Sequence, residues 1–327
     1  MFYKVFRYFV RQGLRWFIAD LDRSKLHGHA LAGPSIILSN HPNSLFDALV
    51  LAVYSPGEIR YLVRGDIFRH PVLNVVLRSL YMLPIYKRGE DPEFEVKNDF
   101  TFDACLSYLK DGKHILIFPE GRSDNMWKLR PFMNGGITAI MDRAYRADIP
   151  LQIQAYVLRY SSFRFVPKAM QIIALDPLDT TDFIVDSRVE TVAVIKLLRA
   201  RLLTNMIDEP YVPPLVDRKE NEWMRVPAKM GYYSHYWFYK LWRDYVRKKT
   251  EGTIFYDSIL FAALFVSYPL LVFCLSGFVA LFLGFWMGLV VFVLLPTLSF
   301  CMVQYQPVKV EQEVGQPKSN TFGKVAP

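Results

Sequence analysis

The run Ser35-Ile-Ile-Leu-Ser-Asn-His-Pro-Asn-Ser-Leu-Phe-Asp47 carries an apolar strand straight into the start of a helix and sets His41 on the turn between them. Turns of this kind face solvent or a ligand. An imidazole there can take a proton as a general base near neutral pH, and a carboxylate at Asp47 can fix its tautomer and stabilise the imidazolium as it forms. A second reading stands beside the first: Ser44 and Asp47 have the spacing of a capping box, in which Asp47 serves only its own helix. Two further blocks end in polar residues of the same kind. Leu83-Pro-Ile-Tyr-Lys-Arg-Gly89 closes an apolar run with Lys87 and Arg88, which can hold a phosphate through charge-assisted hydrogen bonds. An ordinary solvated loop is the alternative. Ile115-Leu-Ile-Phe-Pro-Glu-Gly-Arg-Ser123 is another strand leading into a turn, with Glu120 and Gly121 at its tip, suited to positioning a ligand or to a plain surface turn.

Between residues 25 and 180 short apolar runs alternate with helical stretches, the signature of an α/β domain. The patterning predicts strands at Ser35 to Leu38, Glu58 to Val63, Ile115 to Phe118, Leu151 to Leu158 and Met170 to Leu175. Helices fall at Ser44 to Tyr54, His70 to Leu80, Phe94 to Lys110, Asn134 to Arg146 and Glu190 to Met206. Residues 208–255 read as a polar connection, rich in proline at Pro210, Pro213 and Pro214 and basic at its end. This gives an order of interfacial helix 1–24, α/β domain 25–207, connection 208–255, two transmembrane helices 256–303 and a disordered tail 304–327.

Composition explains the last two segments. Hydrophobic residues make up 52% of the 327 and charged residues only 21%, too apolar for a typical soluble domain. From Ser258 to Val308 there is no Asp, Glu, Lys or Arg, and one helix of that length would run roughly 75 Å against a hydrocarbon core of about 30 Å. Two crossings fit, Ser258 to Ser276 and Phe278 to Phe300, with Ser276-Gly277 as the turn and Pro269 and Pro296 tolerated inside. Lys240, Arg243, Arg247, Lys248 and Lys249 precede the first, so that end is expected to be cytosolic. An even number of spans returns the tail to the same side, leaving both termini and residues 1 to 250 cytosolic. The start is not expected to be a cleaved signal, because basic residues interrupt it throughout. On a helix Lys4, Arg7, Arg11 and Arg15 share one face and Phe2, Phe6, Phe9, Val10, Trp16 and Phe17 gather opposite, which suits either a bilayer surface or the protein's own core. Cys105, Cys274 and Cys301 have no metal-ligand spacing, and no glycine-rich nucleotide loop is present. His27, His29, His70, His114 and His235 read as surface or packing residues.

Taken in order, Asn40-His41 with Asp47, Lys87-Arg88-Gly89 and Phe118-Pro-Glu-Gly121 resemble the glycerophosphate and lysophosphatidate acyltransferase superfamily over about residues 30 to 180. The resemblance implies an α/β fold with a mixed sheet flanked by helices. It also implies transfer of an acyl group from a coenzyme A or carrier-protein thioester to a hydroxyl of glycerol 3-phosphate or lysophosphatidate, with no cofactor, no metal and no nucleic-acid partner. By position His41 becomes the base, Asp47 its orienting partner, Arg88 the glycerophosphate ligand, and Glu120 with Gly121 part of the acceptor site. Lys87, Gly89, Arg122 and Arg64 complete the binding set. Four departures stand out. Five residues rather than four separate His41 from Asp47, so the pair meets only if His41 stays on the turn and the helix begins near Ser44. Arg122-Ser123 is one residue shorter than the family's usual Thr-Arg-Ser. Met133 and Asn134 replace an expected lysine, and Ala155 an expected proline. These changes leave open a lyso-aminolipid or lysophospholipid acyltransferase or transacylase, and a non-catalytic lipid-binding membrane protein of the same fold.

Overall fold

The computed structural model describes residues 2–26, 31, 33–186, 188–214 and 222–311. Among them one mixed sheet is built from β1 (Ile18–Asp22), β2 (Ser35–Ser39), β3 (Ile59–Arg64), β4 (Met82–Ile85), β5 (His114–Ile117), β6 (Gln152–Tyr160), β7 (Lys168–Ala174) and β8 (Leu178–Asp179). The strand order is β1-β7-β6-β2-β5-β3-β4, with β8 paired to β6. The five strands from β6 to β4 run parallel, whereas β7 and β8 are antiparallel to β6, and β1 is parallel to β7. A parallel strand covered on both faces is apolar at every position rather than at every second one. That is why β2 and β5 read as uninterrupted apolar runs: Ile36, Leu38, Ile115 and Ile117 enter one core, Ile37 and Leu116 the other.

The described residues also form nine α-helices: α1 (Phe2–Arg15), α2 (Leu45–Tyr54), α3 (Pro71–Ser79), α4 (Phe94–Lys110), α5 (Gly135–Arg146), α6 (Thr191–Asn205), α7 (Arg225–Lys249), α8 (Tyr256–Leu283) and α9 (Phe285–Tyr305). On one face α1, α2 and the start of α8 supply Val10, Leu14, Val50, Leu51, Leu260 and Phe261. On the other, α4, α5 and α6 supply Phe102, Leu109, Ile137, Ile140, Val194 and Leu198. The expected strands and the helices within residues 44–206 agree with this to within two residues at each end. β1 and β4 were not expected. Leu21 and Asp20 sit on a bulged strand too polar to stand out, and Pro84 interrupts β4, which a strand at the sheet edge tolerates.

Three segments differ from expectation. The turn between the apolar helices is at Gly284, where φ is 92°, and not at Ser276-Gly277, which continues α8. Glycine inside an apolar helix is only mildly unfavourable, whereas a left-handed φ at the helix end selects for it. The supposed connection 208–255 contains α7, 25 residues long, packed along the inner ends of α8 and α9; residues 215–221 lie outside the described residues. There the Tyr268 hydroxyl and His235 Nε2 stand 3.0 Å apart. Finally, α1 buries Tyr3, Val10 and Leu14 against the sheet and the hairpin, with Val5, Tyr8 and Phe9 exposed. Its Arg7 does not share a solvent face with Lys4 and Arg11, because it donates to the carbonyls of Val53, Ser55 and Gly57 at the end of α2 (2.8–3.2 Å), where a cation complements the helix dipole.

Both α8 and α9 are long and apolar enough to cross a membrane. Of the tail, Glu311 is docked on the domain, accepting from the Ser162 hydroxyl and the Phe163 amide at 2.8 Å. Residues 312–327, like His27 and His29, lie outside the described residues. The hairpin closes tightly: a Cβ on Gly288 would stand 2.6 Å from the Cβ of Ala280 and 2.8 Å from the Ser276 carbonyl, while one on Gly277 would meet nothing within 4 Å. Gly288→Leu is therefore expected to destabilise the purified chain by about 1–3 kcal/mol. Gly277→Leu should leave the thermal unfolding midpoint unchanged.

Candidate functional site

The site grows from the end of β2, where the backbone leaves the sheet and a side chain takes over its pairing. Asn40 bonds both ways to Leu158 on β6, Nδ2 donating to the carbonyl and Oδ1 accepting from the amide, each at 2.8 Å. This rung fixes the position of the next residue, His41. Its backbone N–H donates to Glu120 Oε1 at 2.8 Å, and its ring stacks on Phe118, centroids 3.8 Å apart and planes within 9°. Phe118 and Glu120 belong to the turn after β5. That turn closes through Gly121, whose φ of 66° favours a residue without a Cβ.

The extra residue between His41 and Asp47 is absorbed by the loop. Ser44 takes φ 53°, and α2 starts only at Leu45, so Asp47 lies in its first turn and faces back toward the imidazole. Asp47 Oδ2 accepts from His41 Nδ1 at 2.9 Å and from the Asn43 amide at 2.7 Å, and Oδ1 accepts from the Tyr160 hydroxyl at 2.7 Å. The capping-box alternative is not made: the Ser44 side chain forms no cap bond, and its amide donates instead to Ser123 Oγ at 2.7 Å. With a carboxylate on Nδ1, the tautomer that carries its proton there is favoured, and Nε2 is left as the basic nitrogen. The Tyr160 phenol, fully buried, is pushed well above its ordinary range and stays a donor.

Glu120 joins two loops. Its second oxygen accepts from the Arg130 amide at 3.2 Å, and Arg130 reaches Asp124 with a guanidinium nitrogen at 2.8 Å. Burial raises the Glu120 carboxyl to about 7, opposed by the hydrogen bond from the His41 amide.

Of the expected site residues, His41, Asp47, Glu120 and Gly121 come together. The cations form a separate group. Arg64 ends β3 and is paired with Asp66 at 2.8 Å, and Lys87, Arg88 and Gly89 follow β4. Because β2, β5, β3 and β4 are parallel neighbours, all these residues lie at or past the carboxyl ends of strands on one side of the sheet, where α/β proteins hold ligands. Three strand spacings, about 14 Å, separate β2 from β4. The Arg88 side chain is 86% exposed and 3.9 Å from Glu95, and Arg122 is exposed beyond Gly121. Sequence reasoning missed Asn43, Tyr160 and Arg130. Tyr160 sits two residues past the expected end of its strand, and Arg130 lies three residues before Met133 in a stretch with no local signal of its contact with Glu120. Among the described residues no group of three or more His, Cys, Asp or Glu side chains is arranged to hold a metal ion.

Comparison with known proteins follows the same region. Residues 23–154 match the family model described as Acyltransferase. No curated protein matches the chain. Among solved structures, the crystal structure of the 1-acyl-sn-glycerophosphate (LPA) acyltransferase PlsC from Thermotoga maritima is similar with a TM-score of 0.44 and 14% identity, over 62% of this chain and 79% of that one.

Glu120 yields a test by pH. Between about 4.5 and about 7 the unfolded chain ionises this carboxyl while the folded one keeps its proton, so its contribution to stability falls as pH rises through that window. The loss should reach on the order of 3 kcal/mol. Glu120→Gln should flatten the fall, as read from unfolding midpoints at pH 5 and pH 7.5.

Proposed function

We propose that this chain, which carries an Acyltransferase-family domain over residues 23–154, is a membrane-bound O-acyltransferase that moves a long-chain acyl group from a thioester to a hydroxyl of a glycerophosphate. The observation that carries the proposal is the buried Asp47 carboxylate holding Nδ1 of His41 at the carboxyl edge of a parallel sheet. Nε2 removes the acceptor hydroxyl proton as its oxygen attacks the thioester carbonyl. The tetrahedral intermediate collapses with loss of the thiolate, which takes the proton from the imidazolium, so an ester and a free thiol leave without an acyl-enzyme. Backbone N–H groups near the strand ends stabilise the oxyanion.

Lys87 and Arg88, with Arg64 and Arg122, bind the acceptor phosphate across the same edge, and Gly89 lets the chain turn there with a φ of 85°. Glu120 and Gly121 hold the turn on which the imidazole stacks. Leu45, two residues before Asp47, lines a small apolar cleft with Ala48, Leu49, Phe6 and Val10 between α1 and α2, an apolar surface close to the site. The hairpin α8–α9 enters the bilayer, and Gly284 as its only connecting residue keeps both of its ends on one side. The basic last turn of α7, Arg247, Lys248 and Lys249, supports a cytosolic orientation for that side and for the catalytic domain. An acyl chain delivered from the bilayer then never has to cross water.

His41→Ala is expected to lower kcat by about 10²–10⁴ with little change in KM, and Asp47→Asn by about 10² or more. Arg88→Ala and Lys87→Ala should instead raise KM for the phosphate acceptor about tenfold each. Steady-state assays of the purified chain with an acyl thioester and a panel of glycerol 3-phosphate, lysophosphatidate and lyso-aminolipid measure all of these. Transfer to the non-phosphate acceptor alone would remove the glycerophosphate reading, and full activity in His41→Ala would remove the base.

A further inference from the structure

The loop that carries His41 and Asp47 is held from behind by residues far away in the chain. Asn43 gives its backbone N–H to Asp47 and its side-chain Nδ2 to Asp257 Oδ2, both at 2.7 Å. The Phe46 amide donates to Ser258 Oγ at 3.2 Å. Asp257 and Ser258 are the second and third residues of α8, the first helix of the apolar hairpin. Asp257 is ion-paired with Lys168, the first residue of β7, whose ammonium also donates to the Ser162 carbonyl at 2.9 Å. Asn43, Asp47, Lys168 and Asp257 are all fully buried.

An anchor needs none of this. Phe46 packs on Phe261 with centroids 5.8 Å apart, and apolar contacts of that kind would seat the hairpin on the domain by themselves. A buried ion pair adds little stability over an apolar replacement of equal volume, and its attested use is to fix one arrangement among several. Here the arrangement fixed is that of Asn43. Its amide side chain reaches Asp257 while its backbone N–H points at Asp47, so a rotation of the loop that frees one bond breaks the other.

We infer that Asp257 and Ser258, with Lys168 behind them, are positioning residues of the acyl-transfer site, so that the hairpin holds the loop that orients His41 as well as anchoring the domain. The inference rests on the His41–Asp47 reading above. Its consequence is that the first turn of α8 is part of the active site, and a hairpin shifted off the domain slows transfer while the substrate-binding cations stay in place.

The test uses the full chain in lipid vesicles, assayed with an acyl thioester and the acceptor that the wild type accepts. Asp257→Leu combined with Lys168→Met removes both charges and the acceptor of Asn43. It is expected to lower kcat about tenfold or more while KM for both substrates stays within about threefold. Asp257→Asn combined with Lys168→Met also removes both charges but keeps an acceptor oxygen, and should bring kcat back to within about threefold of wild type. Loss of the ion pair alone would affect the two paired variants equally, and equal losses therefore overturn the inference. So does wild-type kcat in the folded Leu pair. Where the Leu pair fails to fold, Ser258→Ala, which leaves every charge in place, decides instead: a several-fold lower kcat at unchanged KM supports the inference and wild-type kcat overturns it. His41→Ala run alongside separates the two readings. Activity surviving there removes the base assignment, whereas loss there with wild-type hairpin variants removes the positioning role alone.

Discussion

A carboxylate taken out of water must be given hydrogen bonds in return, and Asp47 receives three: from an imidazole, a backbone amide and a phenol. Each donor comes from a different direction. His41 hangs from the end of β2, Asn43 from the loop, and Tyr160 from the end of β6, so the three can converge only if neighbouring parallel strands end at one level and α2 starts after the loop has turned. The order β6-β2-β5 in the sheet is the arrangement that meets this condition, with Asn40 bridging β2 to β6 where the backbone ladder stops. Glu120 performs the matching task on the β5 side.

Much of this was legible in the amino-acid sequence because the signals were local. Uninterrupted apolar runs mark strands buried on both faces, and a histidine followed by proline after such a run marks the turn. The insertion between His41 and Asp47 even predicted where α2 begins, since a continuous helix would have turned the carboxylate away from the ring. What escaped was non-local. Nothing around Tyr160 announces that its hydroxyl meets a residue 113 positions away, and α7 lay hidden because its mixture of basic and aromatic residues resembles a polar linker. That the hairpin turns at Gly284 and not at Gly277 escaped for a related reason: composition shows where glycine occurs, but only φ shows which one the chain needs.

Electrostatics divides the molecule in two. The exposed cations Arg88 and Arg122 keep their water, and surface charges of this kind contribute little to stability. Lys168 has no such freedom. Burial lowers its pKa, Asp257 opposes that shift, and its ammonium lies 5.4 Å and 5.6 Å from the rings of Phe17 and Phe46. A cation confined in this way serves the shape of its surroundings rather than a ligand.

The hydrogen bond between Asn43 and Asp257 spans 214 residues, and that separation has a meaning in time. A ribosome adding about 5–20 residues per second delivers the histidine loop roughly 10–40 s before the residue that braces it. Throughout that interval the nascent domain has His41 and Asp47 but not the helix that closes the seam behind them. Synthesis thus runs in the order domain, then hairpin, and the loop reaches its final form only when the start of α8 has emerged and docked.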